Sequence, residues 1–303
     1  MKFYILILFT ICTMTIKSQW LWDFGANASA CNYLGDIGGK DGTRRDFVAD
    51  LKLAKTRWNF GGFARYKWRP KLSLKVAVDY LRLEGDDALS TNPGRRFRNF
   101  NFRNEIYDLG VTGEYFFYEN NDLGNTYRYR NGFRAYIFAG IGGFYSNPKT
   151  LYEGEWVALQ PLATEGYQYK KFVMNIPMGV GFYFTLNKKN RIGFEINYRK
   201  TFTDYLDDIS GNYPDSPPTD YDPKIILRAK ELEGTQLDKD NPGAYEAHQF
   251  GGYKRGGSNR KDAYITMGFS YSYVLRGKSS FYRTRNSGFF SKKRKMRKIR
   301  AKF

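Results

Sequence analysis

The sequence contains no run of about twenty apolar residues, so no segment is long enough to cross a bilayer as a helix. Histidine and cysteine are almost absent: His248, Cys12 and Cys31 are the whole complement. A lone loop histidine with neither a second histidine nor a cysteine near it offers no metal cluster. It is expected to be solvent-exposed. Cys12 falls in the leading apolar stretch, which leaves Cys31 without a partner and excludes a disulfide-stapled secreted domain. Cys31 also lies too far past that stretch to be a lipoprotein anchor. Dinucleotide and calcium motifs are missing as well. Gly140-Ile141-Gly142-Gly143 lacks the third glycine of the dinucleotide fingerprint. Asp238-Lys239-Asp240-Asn241-Pro242-Gly243 has Pro242 where a calcium loop needs a ligand, and Gln249 where it needs its bidentate glutamate. Nothing assembles into a nucleophile, base and oxyanion site, so the chain reads as a non-enzyme without cofactor or metal.

What the chain does have is alternation. In Leu72-Ser73-Leu74-Lys75-Val76-Ala77-Val78-Asp79-Tyr80 every even residue is apolar and every odd one is small or polar. On a strand that pattern sets an apolar face against a polar one. It recurs at Ile192–Arg199 and Ala263–Tyr271. Soluble strands usually run five or six residues, whereas these reach roughly ten, the span of a tilted transmembrane strand. Half-apolar strands around a polar lumen also explain a negative mean hydropathy. An aromatic content of 18% suits interfacial girdles.

Eight such segments are predicted: Leu21–Tyr33, Thr56–Trp68, Leu72–Leu83, Glu105–Tyr118, Gly132–Tyr145, Tyr169–Leu186, Arg191–Phe202 and Lys261–Leu275. Short turns at 69–71 and 187–190, with a moderate link at 119–131, alternate with long connections at 34–55, 84–104, 146–168 and 203–260. That asymmetry predicts an all-β fold, an eight-stranded antiparallel transmembrane barrel with long extracellular loops. An even strand count leaves both chain ends on the periplasmic side. The longest loop carries Pro214, Pro217, Pro218, Pro223 and Pro242, with one short helix expected around Lys224–Leu232.

Period two assigns the faces. Tyr107, Leu109, Val111, Tyr115 and Phe117 point to lipid in the fourth segment, and Asp108, Thr112 and Glu114 to the lumen. In the sixth, Met174, Ile176, Met178, Val180, Phe182 and Phe184 point out, while Asn175, Gly179 and Gly181 point in. Pro177 lacks a ladder donor and is expected at a bulge. An eight-stranded barrel is filled by its own side chains. A lumenal charge network of Arg57, Arg65, Lys75, Asp79, Glu114, Glu195 and Arg199, with Asn59 and Asn197, is expected to pair internally as a structural plug. The acidic group Asp204, Asp207, Asp208 at the rim could gather a cation or pair with nearby arginines, and pairing is favoured.

Residues 1–18 read as a cleaved signal peptide, with Lys2 ahead of an apolar run from Phe3 to Ile11. The barrel is placed at 19–276 and a basic tail at 277–303. The formal charge is +19, and eleven of the lysines and arginines lie from Gly277 onward with no acidic residue among them. The tail peaks at Lys292, Lys293, Arg294, Lys295, Arg297, Lys298 and Arg300, a block expected to be a solvated periplasmic arm that binds an acidic partner. An exported chain leaves no role for nucleic acid, and the remaining contact is outer-membrane lipid.

Several segments go beyond generic barrel grammar. Tyr33-Leu34-Gly35-Asp36 is followed by Gly62-Phe63-Ala64-Arg65-Tyr66 and Glu84-Gly85-Asp86-Asp87. Arg95-Arg96-Phe97-Arg98-Asn99-Phe100-Asn101-Phe102 precedes Glu105-Ile106. Later come Thr203-Asp204-Tyr205-Leu206-Asp207-Asp208-Ile209-Ser210, Arg255-Gly256 and Lys261-Asp262. Together they resemble the PorG-like outer-membrane proteins of Bacteroidetes, over roughly Gln19 to Leu275. The resemblance implies a component of the type IX protein secretion system that contacts a periplasmic ring lipoprotein and its partner protein, serving secretion or gliding motility. The alternative is a stand-alone small barrel acting as an adhesin or envelope-stability protein.

Overall fold

The protein is described here by a computed structural model over residues 22–38, 53–120, 132–187, 189–217, 222–257 and 261–275. The leader (1–18) and the basic tail (277–303) lie outside the described residues.

Eight long strands make the wall: β1 (Trp22–Leu34), β2 (Arg57–Arg69), β3 (Leu72–Asp86), β4 (Asn101–Asn120), β5 (Gly132–Tyr145), β8 (Phe172–Leu186), β9 (Asn190–Thr201) and β10 (Ala263–Leu275). A small hairpin, β6 (Lys149–Tyr152) and β7 (Glu155–Ala158), stands in the connection between β5 and β8. Each wall strand pairs antiparallel with its neighbour, and β10 returns to pair with β1 from Trp22↔Leu275 to Leu34↔Ala263, closing the barrel. The eight segments read from alternation are these eight strands. The β6–β7 hairpin is the addition; it extends the sheet sideways from β4 through Arg103↔Lys149.

The wall has the solvent preference that its pattern dictates. Val76, Val78, Leu109, Val111, Ile137, Ile141, Met174, Val180, Ile192 and Phe269 are exposed on the outer face. Asp79, Asp108, Thr112, Glu114 and Asn175 are buried on the inner one. Aromatic residues bracket the apolar band. Trp22 packs on Tyr66 near the short turns, and Trp58, Tyr80 and Tyr107 form a row toward the long connections, with centroids 5.2 and 4.8 Å apart. From Trp58 to Trp68 the strand advances roughly 33 Å, or about 25 Å along the barrel axis at a tilt near 40°. That height matches the hydrocarbon band of an outer-membrane barrel. No helix among the described residues is long and apolar enough to cross a membrane.

Three local expectations need correction. Pro177 sits at no bulge: it pairs in register with Arg199 on β9. On the β5 side the ladder drops out between Ala139↔Met178 and Gly142↔Asn175, then resumes unshifted. The missing donor therefore costs ladder contacts and leaves the register unshifted. Bulges fall instead at Lys67/Arg69 and Phe116/Tyr118, near the short turns. The helix expected over Lys224–Leu232 is split into a short α1 (Pro223–Ile226) and a separate 3₁₀ turn (Arg228–Leu232). The break at Leu227 lets Ile226, Leu227, Arg228 and Ala229 all be buried, which one amphipathic stripe could not achieve. Lastly, His248 is half-buried against Phe97, with ring centroids 6.1 Å apart, and is not a solvent-exposed side chain.

Candidate functional site

Inside the barrel the odd-numbered polar residues of β2, β3, β9 and β1 meet the even-numbered ones of β4. Arg65 is the hub. Its Nε lies 2.7 Å from Glu114, its Nη1 3.4 Å from Asp23, and its Nη2 3.2 Å from the Tyr136 hydroxyl and 3.4 Å from Glu195. The guanidinium also stands 5.2 Å from the Phe63 and Tyr183 ring centroids. Lys75 binds Glu195 at 2.5 Å. Further along the axis Arg199 joins Asp79 at 2.6 Å and Asp108 at 3.0 Å, and Asp108 accepts from the Tyr264 hydroxyl and the Asn175 amide. Thus Arg65, Lys75, Glu114 and Glu195 come together in one ion-pair group, and Asp79 and Arg199 in a second. Arg57 joins neither; it pairs with Glu84 at 2.5 Å, where β2 parts from β3. Alternation alone did not bring Asp23, Arg191, Tyr136 and Tyr264 into the network, because a polar residue near a strand end gives little sign of its partner.

Between the two ion-pair groups lies a polar cavity of about 40 Å³, lined by Asn27, Asn59, Asn197, Thr266 and Ser270 among others. It holds a few water molecules at most. Phe116, Tyr136, Phe138 and Tyr183 close the lumen on the short-turn side. On the other side Tyr33, Leu81, Phe102, Ile106, Phe144, Leu206 and Tyr264 close it. Strand backbones approach closely around this filling: a Cβ on Gly140 would collide with the Val111 carbonyl, and one on Gly179 with that of Ile196.

The long connections form a second, separate constellation. They fold over the barrel mouth as a cap whose core includes Ile37, Phe100, Ile209, Tyr213, Ile226 and Leu227. Two arginines hold it. Arg98 ends the short helix at Pro93–Arg98, capped by Asn92, and grips Asp87 with two bonds of 2.7 and 3.0 Å. It also donates to the Arg255 carbonyl at 2.8 Å and the Asp36 carbonyl at 3.1 Å. Arg255 donates to Thr164 at 2.9 Å, Glu165 at 3.1 Å and Asp208 at 3.1 Å. Both guanidiniums lie against Phe100, 5.3 and 5.0 Å from its centroid. All four long connections are therefore tied through two side chains. Of the rim acids, Asp208 pairs with Arg255. Asp204 accepts from Ser210, and Asp207 lies 2.5 Å from the Tyr33 hydroxyl and accepts from the Ile37 and Ile209 amides. The described residues contain no cluster able to hold a metal ion.

Two cap groups titrate in opposite senses. Burial pushes the Asp207 carboxyl up to about 7, with Asp36 adding repulsion against the pull of Tyr33, the Ile209 amide and Arg98. Burial also raises Asp208, against Arg255. For His248, burial lowers the imidazole to about 4, helped by Arg98 and opposed by the Gly94 carbonyl and Asp87. A carboxyl raised on folding contributes stability that is full below its ordinary value near 4 and is lost as pH rises to about 7. A histidine lowered on folding contributes stability that is full above about 6.5 and is lost as pH falls to about 4. Between roughly pH 4 and 6.5 the two slopes oppose. His248→Gln removes one of them, so protease protection of the cap should decline steadily from pH 4 to 7, where the unaltered protein shows a shallow profile. A rise over that window would contradict the assignment.

The family model for a domain of unknown function, DUF6089, matches residues 1–221. The chain belongs to that family. No curated protein matches it in sequence. Among solved structures it is similar to Neisserial surface protein A (7% identity, TM-score 0.35, 85% of this chain and 98% of that one). It is also similar to Ail, the attachment invasion locus protein of Yersinia pestis (9%, 0.34, 84% and 98%). A third is the outer membrane protein OprG from Pseudomonas aeruginosa (6%, 0.38, 84% and 96%). The outer-membrane barrel fold rests on this chain's own pairing, closure and apolar band.

Proposed function

We propose that the protein is a non-enzymatic, non-conducting outer-membrane barrel that acts through its cap, as a stand-alone surface adhesin or envelope-stability protein. The observation that carries this reading is the contrast between the two ends of the fold. The lumen is filled by ion pairs and closed by aromatic clusters, whereas the long connections share one buried core. A filled lumen serves as a pedestal and a cored cap as a fixed surface. In this reading the long-loop rim faces the exterior. Purified protein in planar bilayers is expected to give no single-channel steps; regular ohmic steps would replace this reading with that of a pore.

A second reading, a structural component of type IX secretion, is favoured by where the segments behind the PorG-like resemblance fall. Tyr33, Asp36, Asp87, Arg98, Asp207, Asp208, Arg255 and Asp262 all meet in the cap. In this reading the tail after β10 leaves at the short-turn rim, and Lys292–Arg300 docks on the periplasmic ring lipoprotein or its partner. A mild-detergent pull-down from native outer membrane separates the two. Recovery of the barrel alone supports the stand-alone role. Recovery of ring components, lost when Lys292–Phe303 is removed, supports secretion.

A further inference from the structure

The outer face of the β4–β6–β7 extension brings two cations together across the strands. Arg103 and Lys149 are direct cross-strand partners, so their side chains share a face. Like charges directly opposite one another destabilise a sheet. The nearest counter-charge, Glu84, is already divided: it takes Arg103 Nε at 2.8 Å and Arg57 at 2.5 Å. Lys149 has no ion pair among the described residues, and no hydrogen bond is made there by the terminal nitrogens of Arg103. The Arg103 guanidinium is nevertheless held in place, 4.0 Å from the centroid of Trp156, which pairs across β6–β7 with Leu151. Trp156 and Leu151 are themselves 37% and 38% exposed, an apolar surface beside the two cations.

The height of this patch says what it meets. On β4 the same outward face carries Tyr107 four residues below Arg103, and Tyr107 belongs to the aromatic row that bounds the hydrocarbon band. The cations therefore stand at head-group level, with a tryptophan and a leucine beside them. We propose that Arg103, Lys149 and Trp156 bind a phosphate of an outer-leaflet glycolipid of the lipid A type. Arg103 presents a fork matched to phosphate oxygens, Lys149 adds a point charge, and the Trp156 and Leu151 side chains cover the adjoining sugar and acyl roots. The assignment to the outer leaflet rests on the proposed orientation of the long-loop rim.

The test uses the full chain in neutral detergent, titrated with phosphorylated lipid A and with its dephosphorylated form, and bound lipid is counted by native mass spectrometry. The phosphorylated lipid should be retained at least tenfold better. Lys149→Gln, which breaks no ion pair or side-chain hydrogen bond among the described residues, should weaken it about fivefold, in line with roughly one charge at a head-group surface. Arg103→Gln should weaken it at least as much, and the exposed cap variant Lys230→Gln should leave it unchanged. Heat-modifiable gel migration confirms that each variant is folded. Equal retention of the two lipids, or unaltered binding by Lys149→Gln, overturns the site. Maleimide labelling of Lys230→Cys in intact cells reads the orientation separately, since Cys31 is buried. Strong binding in detergent with no surface labelling would keep the phosphate site and reject the outer leaflet.

Discussion

Replacing Arg98 with methionine is expected to open the cap while leaving the barrel closed. Arg98 is 5% exposed and bonded to Asp87 and to the carbonyls of Asp36 and Arg255, so methionine keeps much of its volume and removes every donor. Asp87, 0% exposed, would retain the Gly38 and Phe100 amides among the described residues. Breaking a buried pair by deleting one member typically costs about 3–5 kcal/mol. None of the barrel's ladder bonds depends on that pair. Limited proteolysis should cut within 87–100 and 222–257 at least a hundredfold faster, with heat-modifiable migration preserved. Loss of the folded band would show that cap and barrel form one cooperative unit.

The second large effect belongs to the lumen. Arg65→Met should leave Glu114 and Asp23, both 1% exposed, without their shared cation, again at about 3–5 kcal/mol. Asp23 keeps Arg191 and Glu195 keeps Lys75, so the loss concentrates on Glu114. Adding Glu114→Leu to Arg65→Met should therefore recover much of the stability, because removing a whole buried pair is far cheaper than orphaning half of it. Urea unfolding of the refolded barrel in micelles measures both variants. A double variant no more stable than the single one would mean that Arg65 acts mainly through its packing on Phe63, Tyr136 and Tyr183.

The strands were legible because their signal is local and repeated: a face that must meet lipid imposes period two on every segment, and Leu74, Val76 and Val78 declare it without reference to any neighbour. The direction of lumenal side chains follows from the same parity, so Asp79 and Glu114 could be placed inward, although Asp23 could not be matched to Arg65 without the register. The cap was not legible, because its order is made by contacts between residues far apart in the chain, such as Arg98 with Arg255 or Tyr33 with Asp207. His248 shows the same limit. Its burial is supplied by Phe97, on another connection, and no property of residues 246–250 announces it. Tyr33, Asp207 and Asp262, from three of the segments quoted for their wording, prove to be neighbours there, which the resemblance itself did not announce.

The pairing of β1 with β10 bears on how the molecule comes to exist. Trp22 and Leu275 are partners at the rim where the chain enters and leaves the wall. Every other wall contact joins strands consecutive in the wall, but this seam spans almost the whole sequence. Its formation carries the largest loop-closure entropy in the fold, and contacts of such separation slow folding. Until β10 arrives, β1 presents an open edge with Asn27, Ser29 and Cys31 facing an unfinished interior. Closure of the wall therefore depends on the pairing whose partners lie furthest apart in the chain.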